Sequence, residues 1–329
     1  MDTSRKGVAV TALAALALAV TACSSGGKEE SDSGPSGGGG GGDDSGYTIA
    51  MITHETPGDT FWDKIKAGAQ RAAENYGIDL KYSNDPDPGQ HATLIQNAVD
   101  SEVDGIATTL EAPDAEAESV RTALDAGIPI VAFNQGIDQY QDLGISMYFG
   151  SDERLAGETA GQRISQAGGQ HVLCVIQDEG SVALETRCAG VKSSAPSTEN
   201  IQVNGADDSA VVSSLQAKLS EDDSIDYIVT LGAPIAMDAL QAIEAAGSDA
   251  KLVTFDLNVD AAQAIKDGSI EFSIDQQPYV QGYMAVTSLY LNLLNGNDIG
   301  GGGPVLTGPS FVDASNIDAI VPFAENGTR

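Results

Sequence analysis

The chain has 329 residues, with 48 acidic against 16 basic side chains and a formal net charge of −32. That balance excludes nucleic-acid binding, which needs basic surface to neutralise phosphates, and most of the carboxylates read as solvated exterior. The length is enough for two lobes, each with its own core.

The first residues stand apart from the fold. "MDTSRKGVAVTALAALALAVTAC" carries Arg5 and Lys6, an apolar run from about Val8 to Val20, then small residues leading to Cys23. Basic start, short apolar centre and small-residue cleavage region are the parts of a secretory signal, and the run is too short and Ala-rich for a membrane span. "VTAC" resembles a bacterial lipobox, which implies cleavage before Cys23 and lipid attachment to its sulfur. Residues 1–22 are therefore expected to be a lipoprotein signal peptide, with an ordinary signal and an incidental cysteine as the alternative. A lipid on Cys23 would hold the protein at a membrane without a transmembrane helix. Residues 23–46, rich in Ser, Gly and acidic side chains, have no apolar periodicity and are expected to form a flexible tether. Their six consecutive glycines are no phosphate loop, because no strand precedes them and no Gly-Lys-Ser/Thr follows.

From Tyr47 the pattern alternates. "YTIAMIT" reads as a strand and "TFWDKIKAGAQRAAENY" as an amphipathic helix stopped by Gly77; "IDLKYS", "HATLIQNAVDS", "VDGIATT", "DAEAESVRTALDAG" and "IPIVAFN" continue strand, helix, strand, helix, strand. "SMYFGSD" is a short strand leading into the helix "ERLAGETAGQRISQAG". The unit then starts again, with strands at "HVLCVIQ", "NIQVNG", "DYIVTLG", "KLVTFDL" and "IEFSIDQ". Apolar strands alternating with helices predict parallel sheets covered on both faces. The expected fold class is α/β, with two doubly wound lobes.

Ligands of such sheets sit beyond the carboxyl ends of the strands, so the residues following each strand are the candidates. They include Asp59, Phe61 and Trp62 after the first strand, Asn134 and Gln135 after "IPIVAF", Arg187 beyond "HVLCVIQ", Asp256 and Asn258 after "KLVTF", and Gln276 after "IEFSI". Carboxylates, amides and a guanidinium make paired hydrogen bonds to vicinal hydroxyls, and aromatic rings accept the apolar C–H face of a sugar. The set suits an uncharged polyhydroxylated ligand. Singly, an Asp or Asn after a strand can equally be a helix cap or turn residue, and Phe61 and Trp62 can equally staple the first helix to the sheet. The remaining cysteines, Cys174 and Cys188, are 14 positions apart. Outside the cytoplasm a disulfide between them is favoured, with two buried thiols as the competing state.

Taken in order, "TFWDKIKAGAQRAAENYGIDL", "VDGIATT", "DAGIPIVAFN", "VTFDLN" and "DQQPYVQGYMA" resemble the ribose- and galactose-type sugar-binding proteins of bacterial ABC importers, over nearly all of residues 47–313. The resemblance implies a type I periplasmic-binding-protein fold whose lobes close on a sugar or polyol and deliver it to a membrane permease. By position it places sugar contacts at Asp59, Phe61, Trp62, Asn134, Gln135, Arg187, Asp256 and Gln276, with Asn258 the weakest member. It also implies three crossings between lobes, near Gly150, Gln277 and Gly302. The first lobe would then be 47–150 plus 278–303 and the second 151–277 plus 304–329. Departures from the pattern are Gly232, Ala233 and Pro234 where many members have Asn or Asp, and Asp207 and Asp208 near a position that is commonly aromatic. They argue against simply assigning ribose.

Rival readings are weaker. No Gly-x-Ser-x-Gly elbow or His-Glu-x-x-His motif is present, so an enzyme is not expected, nor a metal or cofactor. A sugar-responsive repressor would need a helix-turn-helix and a cytoplasmic address. A receptor that passes a sugar-like signal to a membrane sensor would use the same site and remains the alternative. The expected product is a monomeric, extracytoplasmic protein, touching the membrane only through its lipid and an ABC permease.

Overall fold

The computed structural model describes residues 45–56, 59–195 and 197–329. The expected signal peptide, Cys23 and the tether up to residue 44 lie outside the described residues.

Two six-stranded sheets form the framework. The first runs in the order β11-β5-β4-β3-β1-β2, built from β1 (Thr48–Thr53), β2 (Asp79–Asn84), β3 (Gly105–Thr108), β4 (Ile130–Asn134), β5 (Met147–Gly150) and β11 (Val305–Leu306). The second runs β12-β10-β9-β8-β6-β7, from β6 (Val172–Ile176), β7 (Thr198–Gln202), β8 (Tyr227–Thr230), β9 (Lys251–Phe255), β10 (Phe272–Asp275) and β12 (Ser310–Asp313). Adjacent strands are parallel except β10 and β12. The central strands are uninterrupted apolar runs because helices cover both faces of each sheet, leaving no wet face for polar alternation.

In the first lobe, α1 (Phe61–Tyr76) and α9 (Pro278–Asn295) cover one face, and α2 (Pro88–Asp100) and α3 (Pro113–Asp125) the other. Local chemistry sets their ends. Asp87 caps α2 by accepting from Gln90 N at 2.9 Å with Pro88 following, and Gly77 ends α1 at φ 63°. The α1–α9 crossing is backbone-close: a methyl group on Gly68 would lie 2.0 Å from Tyr279 O, and one on Gly282 2.0 Å from Ile65 O. In the second lobe α4 (Glu153–Gln166) and α5 (Val182–Ser194) pack on one face; α6 (Asp208–Glu221), α7 (Ala233–Ala246), α8 (Val259–Asp267) and α10 (Ile317–Glu325) pack on the other. Cys174 of β6 and Cys188 of α5 form a disulfide, Cα atoms 5.8 Å apart, which pins that helix to its sheet.

The chain passes between the sheets after β5, after β10 and after β11. The last passage differs from the expectation at Gly302. Val305 and Leu306 pair with Phe149 and Gly150 of β5, so the crossing falls at residues 307–309 and the first lobe extends past 303. The glycines before it make a turn, with Gly303 N donating to Gly300 O at 3.1 Å, that returns the chain to the sheet edge. The three crossings are tied together at Thr307. Its N–H donates to Gly150 O at 2.8 Å and its hydroxyl to Gln276 O at 2.6 Å, while Gln277 Nε2 donates to Thr307 O at 2.6 Å.

Candidate functional site

The strand carboxyl ends of both lobes carry the candidate residues. In the first lobe, Gln135 follows β4 and its Nε2 donates to His54 Nε2 at 2.9 Å. His54 therefore carries its proton on Nδ1, which donates to Thr109 Oγ1 at 2.8 Å. Burial, with the charge of His91 behind it, drops the His54 pKa to about 3, so the ring is neutral and acts as a rigid spacer. It stands edge-on to Trp62 at 4.6 Å, and Trp62 edge-on to Phe61 at 5.3 Å. The two rings expected to form one wall thus differ. Trp62 is 4% exposed and belongs to the first-lobe core, whereas Phe61 is half-buried at its margin. Asp59 turns back on its own helix start, accepting from Phe61 N at 3.0 Å.

In the second lobe Arg187, Asp256 and Gln276 come together. Gln276 Nε2 donates to Asp256 Oδ1 at 2.9 Å. The Arg187 guanidinium lies 4.9 Å over the Phe255 ring, donates to Leu231 O at 3.2 Å and pairs with Glu153 at the start of α4. Burial opposes the Arg187 charge, but Glu153, with Asp256 and Tyr148 further off, outweighs it and raises the guanidinium pKa. Asp256 is pushed up to about 7 by burial, against the pull of Arg187 and with the push of Asp275. Oε1 of Glu153 and Oε1 of Gln276 are buried and accept from no protein donor, which makes them available to ligand hydroxyls. Asn258 does not join this group; its side chain accepts from Ala261 N at 2.7 Å and caps α8.

Asn134 is held at the seam. Its Nδ2 donates to Gln281 Oε1 at 3.2 Å, and Gln281 Nε2 reaches Gln276 O at 3.3 Å and Thr307 Oγ1 at 3.2 Å. Gln281, Thr307 and Glu153 were not singled out from the sequence, and neither was Lys64. Lys64, in α1, is 6% exposed, donates to Thr60 O at 3.3 Å and makes no ion pair among the described residues. Burial lowers its pKa, and Asp256, Asp275 and Asp59 act against that. A lysine one turn into the amphipathic helix that follows the first strand was the available signal.

Residues 49–298 match the family described as the periplasmic binding protein domain, and the chain belongs to that family. It is 26% identical to a xylose/arabinose-binding protein of Sulfolobus acidocaldarius over 82% of this chain and 72% of that one. It is 27% identical to a ribose import binding protein of Salmonella typhimurium over 70% of this chain and 79% of that one. Among solved structures, a carbohydrate transporter from Acidothermus cellulolyticus 11B in complex with myo-inositol superposes with a TM-score of 0.84 at 53% identity, covering 86% of this chain and 99% of that one. The two lobes described above are the type I fold of these binding proteins.

Proposed function

We propose that this protein is an extracytoplasmic solute-binding lipoprotein that captures a cyclic polyol or monosaccharide between its lobes and delivers it to an ABC importer, with a myo-inositol-like cyclitol the first candidate. One observation carries the reading. The buried side chains at the cleft comprise two basic groups, Arg187 and Lys64, and three acidic ones, Glu153, Asp256 and Asp275, the last held by Arg329, a mixed set rather than a cluster of one sign. It offers a charged donor and charged acceptors to hydroxyl groups and asks for no ionic ligand. The 53% identity to a protein held in complex with myo-inositol supports the choice of polyol. The three crossings, laced through Thr307, act as the hinge, and a ligand touching both lobes favours the closed arrangement. Cys23 carries the lipid, and no helix among the described residues is long and apolar enough to cross a membrane.

Calorimetric titration with myo-inositol, ribose, xylose, arabinose and fructose tests the reading, with Trp62 fluorescence alongside. A ligand at 100 times its Kd adds about 2.7 kcal/mol of stability. Saturable 1:1 binding of one of these is expected. Binding only of an anionic sugar acid or an amino acid rejects it. Loss of the protein from the membrane fraction in Cys23→Ala tests the anchor.

A further inference from the structure

A second polar cluster lies at the opposite end of the second sheet, away from the strand carboxyl ends. His171 immediately precedes β6, Glu199 lies in β7, and Asp222 follows the last residue of α6. One ligand-capable atom from each falls within 4.8 Å of the others. The hydrogen bonds fix the state of the histidine. Ser224 Oγ donates to Asp222 Oδ1 at 2.6 Å, which uses its only hydrogen, and it also stands 2.7 Å from His171 Nδ1. His171 Nδ1 must therefore be the donor to Ser224. In the neutral ring Nε2 is then a bare lone pair, and it faces Glu199 Oε1 at 3.3 Å. Two acceptors at that distance repel unless a second ring proton or a bound cation lies between them. Lys218 Nζ, 2.9 Å from Glu199 Oε1, serves the carboxylate.

We propose that His171 Nε2 and Glu199 bind a divalent first-row transition-metal ion, zinc being the best match, with Asp222, whose Oδ2 now stands 3.8 Å from His171 Nδ1, joining them by a side-chain rotation. Donors about 2.0–2.2 Å from zinc in a tetrahedral array lie roughly 3.3–3.5 Å apart, and the His171–Glu199 separation is already 3.3 Å. A mixed nitrogen and oxygen set suits zinc and its neighbours, whereas calcium and magnesium take oxygen alone. Ser224 supplies the outer contact that fixes the tautomer of a metal-bound histidine. The carboxyl end of α6 adds the negative end of its dipole, which favours a cation there. Lys218 is the resident competitor and leaves Glu199 when the metal enters. The ion would join the edge strand β7 to β6 and α6 without touching the sugar cleft.

The test is calorimetric titration of EDTA-treated protein with zinc chloride, and with calcium chloride for comparison, while thermal unfolding is followed. One saturable zinc site is expected, at least tenfold tighter than calcium. Affinity should fall at least tenfold in His171→Ala and in the isosteric Glu199→Gln, and about tenfold in Ser224→Ala. It should rise in Lys218→Met, which removes the competing ammonium. Unfolding temperatures without zinc within a few degrees of the parent establish that each variant folds. Absence of saturable zinc binding, survival of it in His171→Ala, or no gain in Lys218→Met overturns the site.

Discussion

Asn134 and Asp256 occupy equivalent places in the two lobes. Each ends or directly follows the third strand of its sheet, β4 or β9, and each is left-handed, at φ 64° and 62°. Each offers its carbonyl to a hydroxyl from the neighbouring strand, Tyr148 at 2.8 Å and Ser273 at 2.6 Å. Each side chain is met by a glutamine, Gln281 or Gln276. Left-handed backbone in a non-glycine residue persists only where its surroundings over-determine it, and it gathers at ligand sites. Here it turns one amide and one carboxylate out of their strands, one from each lobe.

The backbone cost of that turn is measurable. Asn134→Gly and Asn134→Val lose the same bond to Gln281, but only valine resists a positive φ. Valine should be less stable than glycine by about 1–2 kcal/mol, read from urea melts. Equal stabilities would show that the left-handed geometry carries no strain.

The Asp256 carboxyl gives a pH signature. Its pKa is raised to about 7 in the folded protein, chiefly by burial, against an ordinary value of about 3.9 in the unfolded chain. The folded state thus holds this proton more tightly, and its contribution to stability grows as pH falls from about 7 toward about 4, then levels. Asp256→Asn should raise the unfolding temperature of the free protein at pH 8 and flatten its slope between pH 5 and 8. The same substitution should weaken polyol binding at least tenfold. A parallel slope in the variant would assign the pH response to other groups, of which Glu111 is the first, its pKa also pushed up to about 7 by burial and by Asp178.

The Cys174–Cys188 bridge closes a short loop of 14 residues, and a loop of about that length confers roughly 3 kcal/mol. Cys174→Ala with Cys188→Ala should lower stability by about 2–4 kcal/mol, and reductant should have no further effect on the double variant. A native-like melting curve in the reduced parent would make the bond dispensable.

The alternation of apolar runs and helices was enough to order both lobes, because parallel strands buried on two faces leave an unmistakable composition. The polar residues at strand ends were equally visible. What could not be read depends on partners distant in sequence. Gln281 sits in the first turn of α9, within "YVQGYMA", and its role comes from Asn134, 147 positions earlier. Thr307 gains its importance from Gly150 and Gln276 together. β11 has two residues, too few for any periodicity, so the last crossing was placed early. Asn258 looked like Asp256 in sequence, and only the start of α8 at Val259 marks Asn258 as its cap.

Lys64 is the residue whose substitution says most about closure. It belongs to the first lobe, and two of the carboxylates that sustain its charge, Asp256 and Asp275, end strands of the second. The attraction therefore acts across the cleft and grows as the lobes approach. Asp275 is already held by Arg329 and by Gln277 N, which leaves Asp256 the freer partner. Lys64→Met keeps the apolar stem and removes the ammonium. Because no ion pair among the described residues offsets its burial, the free protein should be no less stable in the variant. Ligand affinity should fall about tenfold, mainly through faster dissociation. The radius of gyration of the free protein by small-angle scattering should increase as the population moves toward the open form. Unchanged affinity and radius would reduce Lys64 to a packing residue of α1 and leave closure to the ligand and the hinge alone.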